Sequence, residues 1–158
     1  IVKFLSGSKR AVDLYAGCGT YSFPLKNAVE RIDMFEGSPD MVMAAQNAIR
    51  TYKLENTLSA KQQDLYRKPL TANKLAIYDA AIINPPRNGT EPQIKQLANS
   101  NIVKIAYVSC NPISFARDAE ILIAGGYRLD WVQPVDQFRW SSHVELVAAF
   151  SLTHITAK

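Results

Sequence analysis

Two glycines and a carboxylate set the first chemical constraint. The run Asp13-Leu14-Tyr15-Ala16-Gly17-Cys18-Gly19-Thr20 passes from a β-rich stretch into a loop, where Gly17 and Gly19 permit a tight turn and close approach of a ligand to the backbone. Glu36 stands seventeen residues past Gly19, at the end of the next β-rich stretch, suited to accept hydrogen bonds from two ribose hydroxyls. This spacing fits a nucleoside cofactor. A dinucleotide fingerprint requires a third small residue where this chain has Ser22 followed by Phe23-Pro24, so S-adenosylmethionine suits the loop better than a nicotinamide cofactor. Asp64, after the third apolar patch, is suited to accept from an adenine amino group, although such a residue alone more often belongs to a turn.

The elements that must hold these groups follow an α/β rhythm. Short β-rich runs at Arg10–Tyr15, Arg31–Glu36, Tyr78–Ile83 and Ile102–Val108 alternate with amphipathic stretches. Ser38-Pro39-Asp40 starts a helix with Met41, Val42, Ala45, Ala48 and Ile49 on one stripe. A second helix follows Asn111-Pro112, runs through Phe115, Ala119 and Leu122, and stops at Gly125-Gly126. Two further strand-like runs, Tyr127–Val132 and His143–Phe150, leave no room for a helix between them and should pair antiparallel. Tyr66 to Ala76 reads as loop or a poor helix. The pattern implies a doubly wound sheet whose ligand site lies beyond the carboxyl ends of its strands.

Composition bounds the class. The 158 residues suit one domain, and 47% hydrophobic against 20% charged residues can bury a core without disulfides or structural metal. Two cysteines and two histidines are too few and too scattered for a zinc finger, and free cysteines suit a reducing cytoplasmic setting. Apolar runs all fall short of the about 18 residues needed to cross a bilayer. The net charge of +4 is compatible with nucleic acid and far from diagnostic of it.

Three more stretches fall at or beside expected strand ends: Asn84-Pro85-Pro86-Arg87-Asn88-Gly89, Tyr107-Val108-Ser109-Cys110-Asn111-Pro112, and Asp136 through Glu145, which ends in His143-Val144-Glu145. Together with the glycine loop, in this order and spacing, the chain resembles the RNA uracil-5-methyltransferase family over Asp13 to Phe150. That resemblance implies a Rossmann-like class I methyltransferase fold, a mostly parallel sheet ending in an antiparallel strand pair. It also implies methyl transfer from S-adenosylmethionine to C5 of a uridine in tRNA or rRNA. C5 of uracil is a poor nucleophile, so the reaction needs a thiol that adds at C6 and a base that removes the C5 proton. By resemblance Cys110 is that nucleophile and Glu145 that base. The local pattern agrees, because Cys110 is followed by Asn111 as a candidate N-cap and Pro112 at the first helical position, and a positive helix end favours the thiolate. The resemblance assigns Tyr15, Gly17, Gly19, Thr20, Glu36, Asp64 and Asn84 to the cofactor.

Departures from the family pattern are local. Members commonly carry Asp where this chain has Asn84, which keeps a hydrogen-bond acceptor but loses charge attraction to the cofactor's ammonium group. Ser114 stands where Thr is common, and Phe138-Arg139-Trp140-Ser141 replaces the usual run before His-Val-Glu. Arg139 and Trp140 are suited to a phosphate and a stacked base of single-stranded RNA, and His143 shares the Glu145 face. In this family the catalytic domain follows an RNA-binding barrel and a central segment, so residues 1–158 are expected to be a catalytic domain without them, with structured RNA as partner. Two alternatives remain: Asn84-Pro85-Pro86 is also found in methyltransferases of exocyclic amino groups, although Arg87 occupies the place of their aromatic, and a non-catalytic cofactor- or RNA-binding remnant needs no chemistry at all.

Overall fold

The computed structural model describes residues 1–136, 140 and 144–153. In chain order the elements are α1 (Val2–Leu5), β1 (Arg10–Leu14), α2 (Ser22–Leu25), β2 (Arg31–Glu36), α3 (Pro39–Thr51), β3 (Leu58–Gln62), α4 (Ala72–Leu75), β4 (Ala80–Ile83), α5 (Glu91–Ala98), β5 (Lys104–Ser109), α6 (Pro112–Ala124), β6 (Tyr127–Val135) and β7 (Glu145–Leu152). One seven-stranded sheet runs in the order β3-β2-β1-β4-β5-β7-β6. Strands β1 to β5 pair parallel with one another, and β7 is antiparallel to both β5 and β6. The expected α/β architecture with an antiparallel end pair is what the chain forms.

The order of the strands fixes where a ligand can enter. From β1 the chain moves outward to β2 and β3, then returns across β1 to place β4 on its other side. The segments leaving β1 and β4 therefore part in opposite directions, which opens a crevice at their carboxyl ends.

Burial on both faces explains the run of apolar residues in the central strands. In β4, Ala80 and Ile82 enter the core with Leu25, Ile32, Met34 and Ile49, whereas Ala81 and Ile83 enter the core with Leu75, Ile94, Phe115 and Phe150. Successive side chains alternate between faces, so a strand covered by helices on both sides must be apolar throughout. On α3 the buried stripe is narrower than the periodicity suggests: Val42, Ala45 and Ile49 are buried, and Met41 is exposed. The one carboxylate in the middle of β2, Asp33, is buried among donors. It accepts from Arg10 Nη2 at 2.6 Å, Ser59 Oγ at 2.6 Å and Tyr78 Oη at 3.0 Å. Burial opposes its charge, but those three partners hold its pKa below the ordinary carboxylate value. Among the described residues no helix is long and apolar enough to cross a membrane.

Helices α5 and α6 pack closely where α6 ends. A Cβ placed on Gly125 would lie 2.6 Å from the Ala98 carbonyl oxygen and 2.7 Å from the Ala98 Cβ, so glycine is needed here for close approach. Gly125→Ala is expected to destabilise the fold by about 1–3 kcal/mol through overpacking against backbone, measured by chemical denaturation.

Candidate active site

The loop after β1 is shaped by three left-handed residues, Tyr15 (φ 61°), Gly17 (φ 57°) and Gly19 (φ 96°). The two glycines answer different needs. A Cβ on Gly17 would meet nothing within 4 Å, so this residue borders open space, whereas one on Gly19 would lie 2.7 Å from the Phe23 ring and 3.0 Å from the Met34 sulfur. Glu36 ties this loop to α3. Its Oε2 accepts from Gly17 N at 2.9 Å and its Oε1 from Ser38 N at 2.8 Å. Each carboxylate oxygen keeps acceptor capacity beyond these bonds. An open glycine backbone beside a held carboxylate suits the ribose of a nucleoside.

The sheet register gathers the other expected cofactor residues at the same edge. Leu14 pairs with Phe35 on one side and with Ile83 on the other, so Tyr15, Glu36 and Asn84 emerge together at the carboxyl ends of β1, β2 and β4. Asn84 continues the ladder by donating its backbone N–H to Leu14 O at 3.2 Å, and it is half-buried. Thr20 is exposed on the loop. Asp64 lies just past β3 and is exposed. Its Oδ1 accepts from the backbone N–H groups of Tyr66 and Arg67, both at 3.1 Å, so the turn reading of this residue is structurally correct. Its second oxygen, Oδ2, lies 3.6 Å from Arg67 Nε in an exposed ion pair.

At the other side of the crevice, β5 and β7 pair antiparallel from Lys104↔Ser151 to Ser109↔Leu146. Continuing this register by one step sets Cys110 across from Glu145. Opposed residues of an antiparallel pair carry their Cβ atoms about 4.5–5.5 Å apart on one face. Cys110 and Glu145 are both half-buried, and burial raises the Glu145 pKa above its ordinary value, which suits a proton acceptor. Tyr21, from the glycine loop, has its pKa raised first by burial and then by the charges of Glu145 and Asp13. The glycine loop thus ends within electrostatic reach of Glu145.

The residue after Cys110 does two jobs. Asn111 Oδ1 accepts from Ile113 N at 3.0 Å and caps α6, as the sequence leads one to expect, while its Nδ2 donates to Arg87 O at 3.0 Å. Ser114 Oγ donates to the same Arg87 carbonyl at 3.1 Å. The Pro-Pro-Arg loop is therefore hung on the first turn of the helix that begins beside the thiol. Of the remaining candidates, Trp140 is fully exposed with φ 65°, while Arg139 and His143 lie outside the described residues.

Sequence reasoning assigned no role to two buried acids. Asp118 is fully buried on α6, on the same stripe as Phe115, Ala119 and Leu122, and an acid on an apolar stripe is the signal that marks it. Asp13 is buried at the end of β1, where its Oδ2 accepts from Ser22 Oγ at 2.7 Å and its Oδ1 has no partner among the described residues. Burial, offset only in part by the Ser22 hydrogen bond, pushes its pKa from the ordinary 3.8 up to about 7, and the charge of Glu36 adds to the shift.

A raised folded-state pKa means that the folded chain holds a proton the unfolded chain has already released. Stability contributed by Asp13 is therefore lost as pH rises from about 4 to about 7, with a limiting slope of about 1.4 kcal/mol per pH unit. Asp13→Asn should remove this slope, so denaturation of the two proteins across that window should show the wild type losing stability relative to the variant as pH rises.

Comparison with known proteins places this crevice in context. A family model described as tRNA (uracil-5-)-methyltransferase matches residues 4–151. An uncharacterized RNA methyltransferase of Rhizobium meliloti (strain 1021) is 42% identical over 148 residues, covering 94% of this chain and 35% of that protein. The 23S rRNA (uracil(1939)-C(5))-methyltransferase RlmD of Chromohalobacter salexigens is 37% identical over 139 residues, 88% of this chain and 28% of that enzyme. Among solved structures, the Pyrococcus abyssi tRNA (uracil-54, C5)-methyltransferase in complex with S-adenosyl-L-homocysteine superposes with a TM-score of 0.79 at 27% identity, covering 94% of this chain and 36% of that one. The chain spans about a third of the length of the curated relatives it matches. With the glycine loop, the Pro-Pro-Arg loop and the Ser-Cys-Asn-Pro turn all inside the matched region, this chain belongs to the tRNA (uracil-5-)-methyltransferase family.

Proposed function

We propose that this chain binds S-adenosylmethionine in the crevice between the β1 and β4 loops and methylates C5 of a uridine in structured RNA, a tRNA or an rRNA. The observation that carries the reading is the β5–β7 register, which runs to Ser109↔Leu146 and so ends one residue short of both the Cys110 thiol and the raised-pKa Glu145, at the same sheet edge as a glycine loop and a ribose-suited glutamate. The Pyrococcus abyssi relative, solved with the demethylated cofactor, supports the cofactor assignment. Tyr15, Gly17, Gly19, Thr20, Glu36, Asp64 and Asn84 would hold it, with Glu36 on the ribose, Asp64 near the adenine and Asn84 by the methionine part. The open side of Gly17 and the remaining acceptor capacity of Glu36 fit that role.

The bound cofactor supplies an electrophilic methyl group on a sulfonium sulfur. The protein supplies the rest. The Cys110 thiolate adds to C6 of uracil, forming an S–C6 bond and shifting the C5–C6 π pair into an enolate that makes C5 nucleophilic. Once C5 carries the methyl group, Glu145 accepts the C5 proton. The electrons of that C–H bond restore the C5–C6 double bond as the S–C6 bond breaks, which returns the thiolate. An RNA base must leave its stack to expose C6 to the thiol. An amino-group methyltransferase would need neither Cys110 nor Glu145.

Mixing the protein with S-adenosylmethionine and 5-fluorouridine-substituted tRNA or rRNA provides the test, because fluorine at C5 cannot leave as a proton does. A methylated covalent adduct seen by denaturing gel and intact mass is expected for the wild type and not for Cys110→Ala. With ordinary RNA, Glu145→Gln should accumulate the adduct and slow turnover by about 10²–10⁴-fold, the usual contribution of a positioned base. Cofactor-dependent methylation of RNA that persists in Cys110→Ala would overturn the C5 chemistry.

A further inference from the structure

A chain of buried hydrogen bonds joins the glycine loop to the helix that starts beside Cys110, and it touches neither the ribose carboxylate nor the thiol. Tyr15, which leaves β1 with a left-handed backbone, shares a hydrogen bond between its hydroxyl and Thr90 Oγ1. Thr90 is fully buried, and its backbone N–H donates to Asp118 Oδ2 at 3.0 Å. The same oxygen accepts from Tyr107 Oη at 2.7 Å, and Oδ1 accepts from Arg117 Nε at 3.0 Å and Nη2 at 2.8 Å. Arg117 Nη2 also reaches Asn88 O at 3.2 Å.

The geometry leaves these parts little independent freedom. A Cβ on Gly89 would lie 2.9 Å from Asp118 Oδ2 and 3.0 Å from Ser114 Cβ, so the Pro-Pro-Arg loop lies directly on α6. Asn111 and Ser114 hold the same loop at Arg87 O, one helical segment closer to Cys110. A shift of Tyr15 must therefore either break a buried bond or move the loop and α6 with it. Breaking it would strand buried polar groups, which is costly in a low-dielectric interior. Packing alone does not call for this arrangement, since apolar residues of similar volume commonly fill such a space at no loss of stability. Burial keeps the Tyr15 and Tyr107 hydroxyls protonated and able to donate.

We propose that Thr90 and Asp118 are positioning residues that couple occupancy of the cofactor crevice, through Tyr15, to the pose of Cys110 at the head of α6. The proposal rests on the cofactor reading given above. It makes the nucleophile responsive to the cofactor before any RNA is bound, so that a thiol in the productive pose is presented chiefly by the loaded enzyme.

The test reads Cys110 directly. The rate of iodoacetamide alkylation is followed by mass spectrometry of the Cys110 peptide, which distinguishes it from exposed Cys18, with and without saturating S-adenosylhomocysteine. In the wild type the ligand is expected to change the Cys110 rate by about fivefold or more, the lower end of ordinary coupling between sites. Thr90→Val keeps shape and the backbone bond to Asp118 but removes the hydroxyl. It should retain S-adenosylhomocysteine binding by calorimetry while losing most of the rate change, and Thr90→Ser should restore it. Asp118→Asn should lose the response as well, and Thr90→Val keeps the test decisive if that variant does not fold. If Thr90→Val responds as the wild type does, or if the wild-type rate is indifferent to the ligand, the coupling is overturned while the cofactor reading stands. If calorimetry shows no binding to the wild type, the cofactor reading itself fails and the coupling falls with it.

Discussion

The antiparallel return of β7 alongside β5 is the constraint on which the candidate site depends. Side chains alternate across a strand, so a slip of one residue in this pairing would carry the buried Ala148, Ala149 and Phe150 to the wrong faces and turn Glu145 over with them. The register that sets Phe150 beside Phe115 is thus the same register that ends one residue short of both the acid and the thiol. Packing energy, which is large for an aromatic side chain in the core, holds a candidate site whose polar residues by themselves contribute little to stability. The two strands run in opposite directions, so the carboxyl end of β5 meets the amino end of β7, and chemistry from distant parts of the chain converges at one edge.

Two buried aspartates show how the number of donors decides the charge of an acid. Asp33 and Asp13 are both shielded from solvent in adjacent strands, Asp13 the more deeply. Asp33 has arginine, serine and tyrosine around it and is held ionised, whereas Asp13 has Ser22 alone and is pushed up to about 7. The fully partnered acid clamps β1, β2, β3 and the entry to β4. The under-partnered one sits at the root of the glycine loop. Its placement follows the general tendency of functional edges to carry groups that the rest of a fold would satisfy completely.

The loop after β4 has a comparable dual character. Its prolines restrict the backbone, but its position is set from below by Asn111, Ser114, Arg117 and Asp118 of α6. One side chain, Asn111, closes the helix start and grips the loop at once. Cofactor-side and thiol-side segments therefore belong to one hydrogen-bonded body rather than to two independently placed loops.

Local patterns in the sequence were enough for much of the fold. β2 occupies Arg31–Glu36 as its alternation implies, α6 runs from Pro112 to the glycine stop, and the last two strands pair antiparallel because no helix fits between them. That the glycine loop, Glu36, Asn84 and Cys110 stand at or just beyond strand ends was legible because strand-like runs stop at these residues in the sequence. Other features escaped for physical reasons. β3 buries little beyond Leu58, so it lacks a strong alternation, and α5 is only eight residues long, opens with a proline at its first turn and buries Gln93, which bonds the Leu70 backbone through both amide atoms. The register of β7 on β5, the single donor of Asp13 and the Tyr15–Thr90–Asp118 chain were decided only by the tertiary structure. Each depends on which distant strand lies beside which and in what register, and that is set by the burial of the whole sheet rather than by any short stretch of residues.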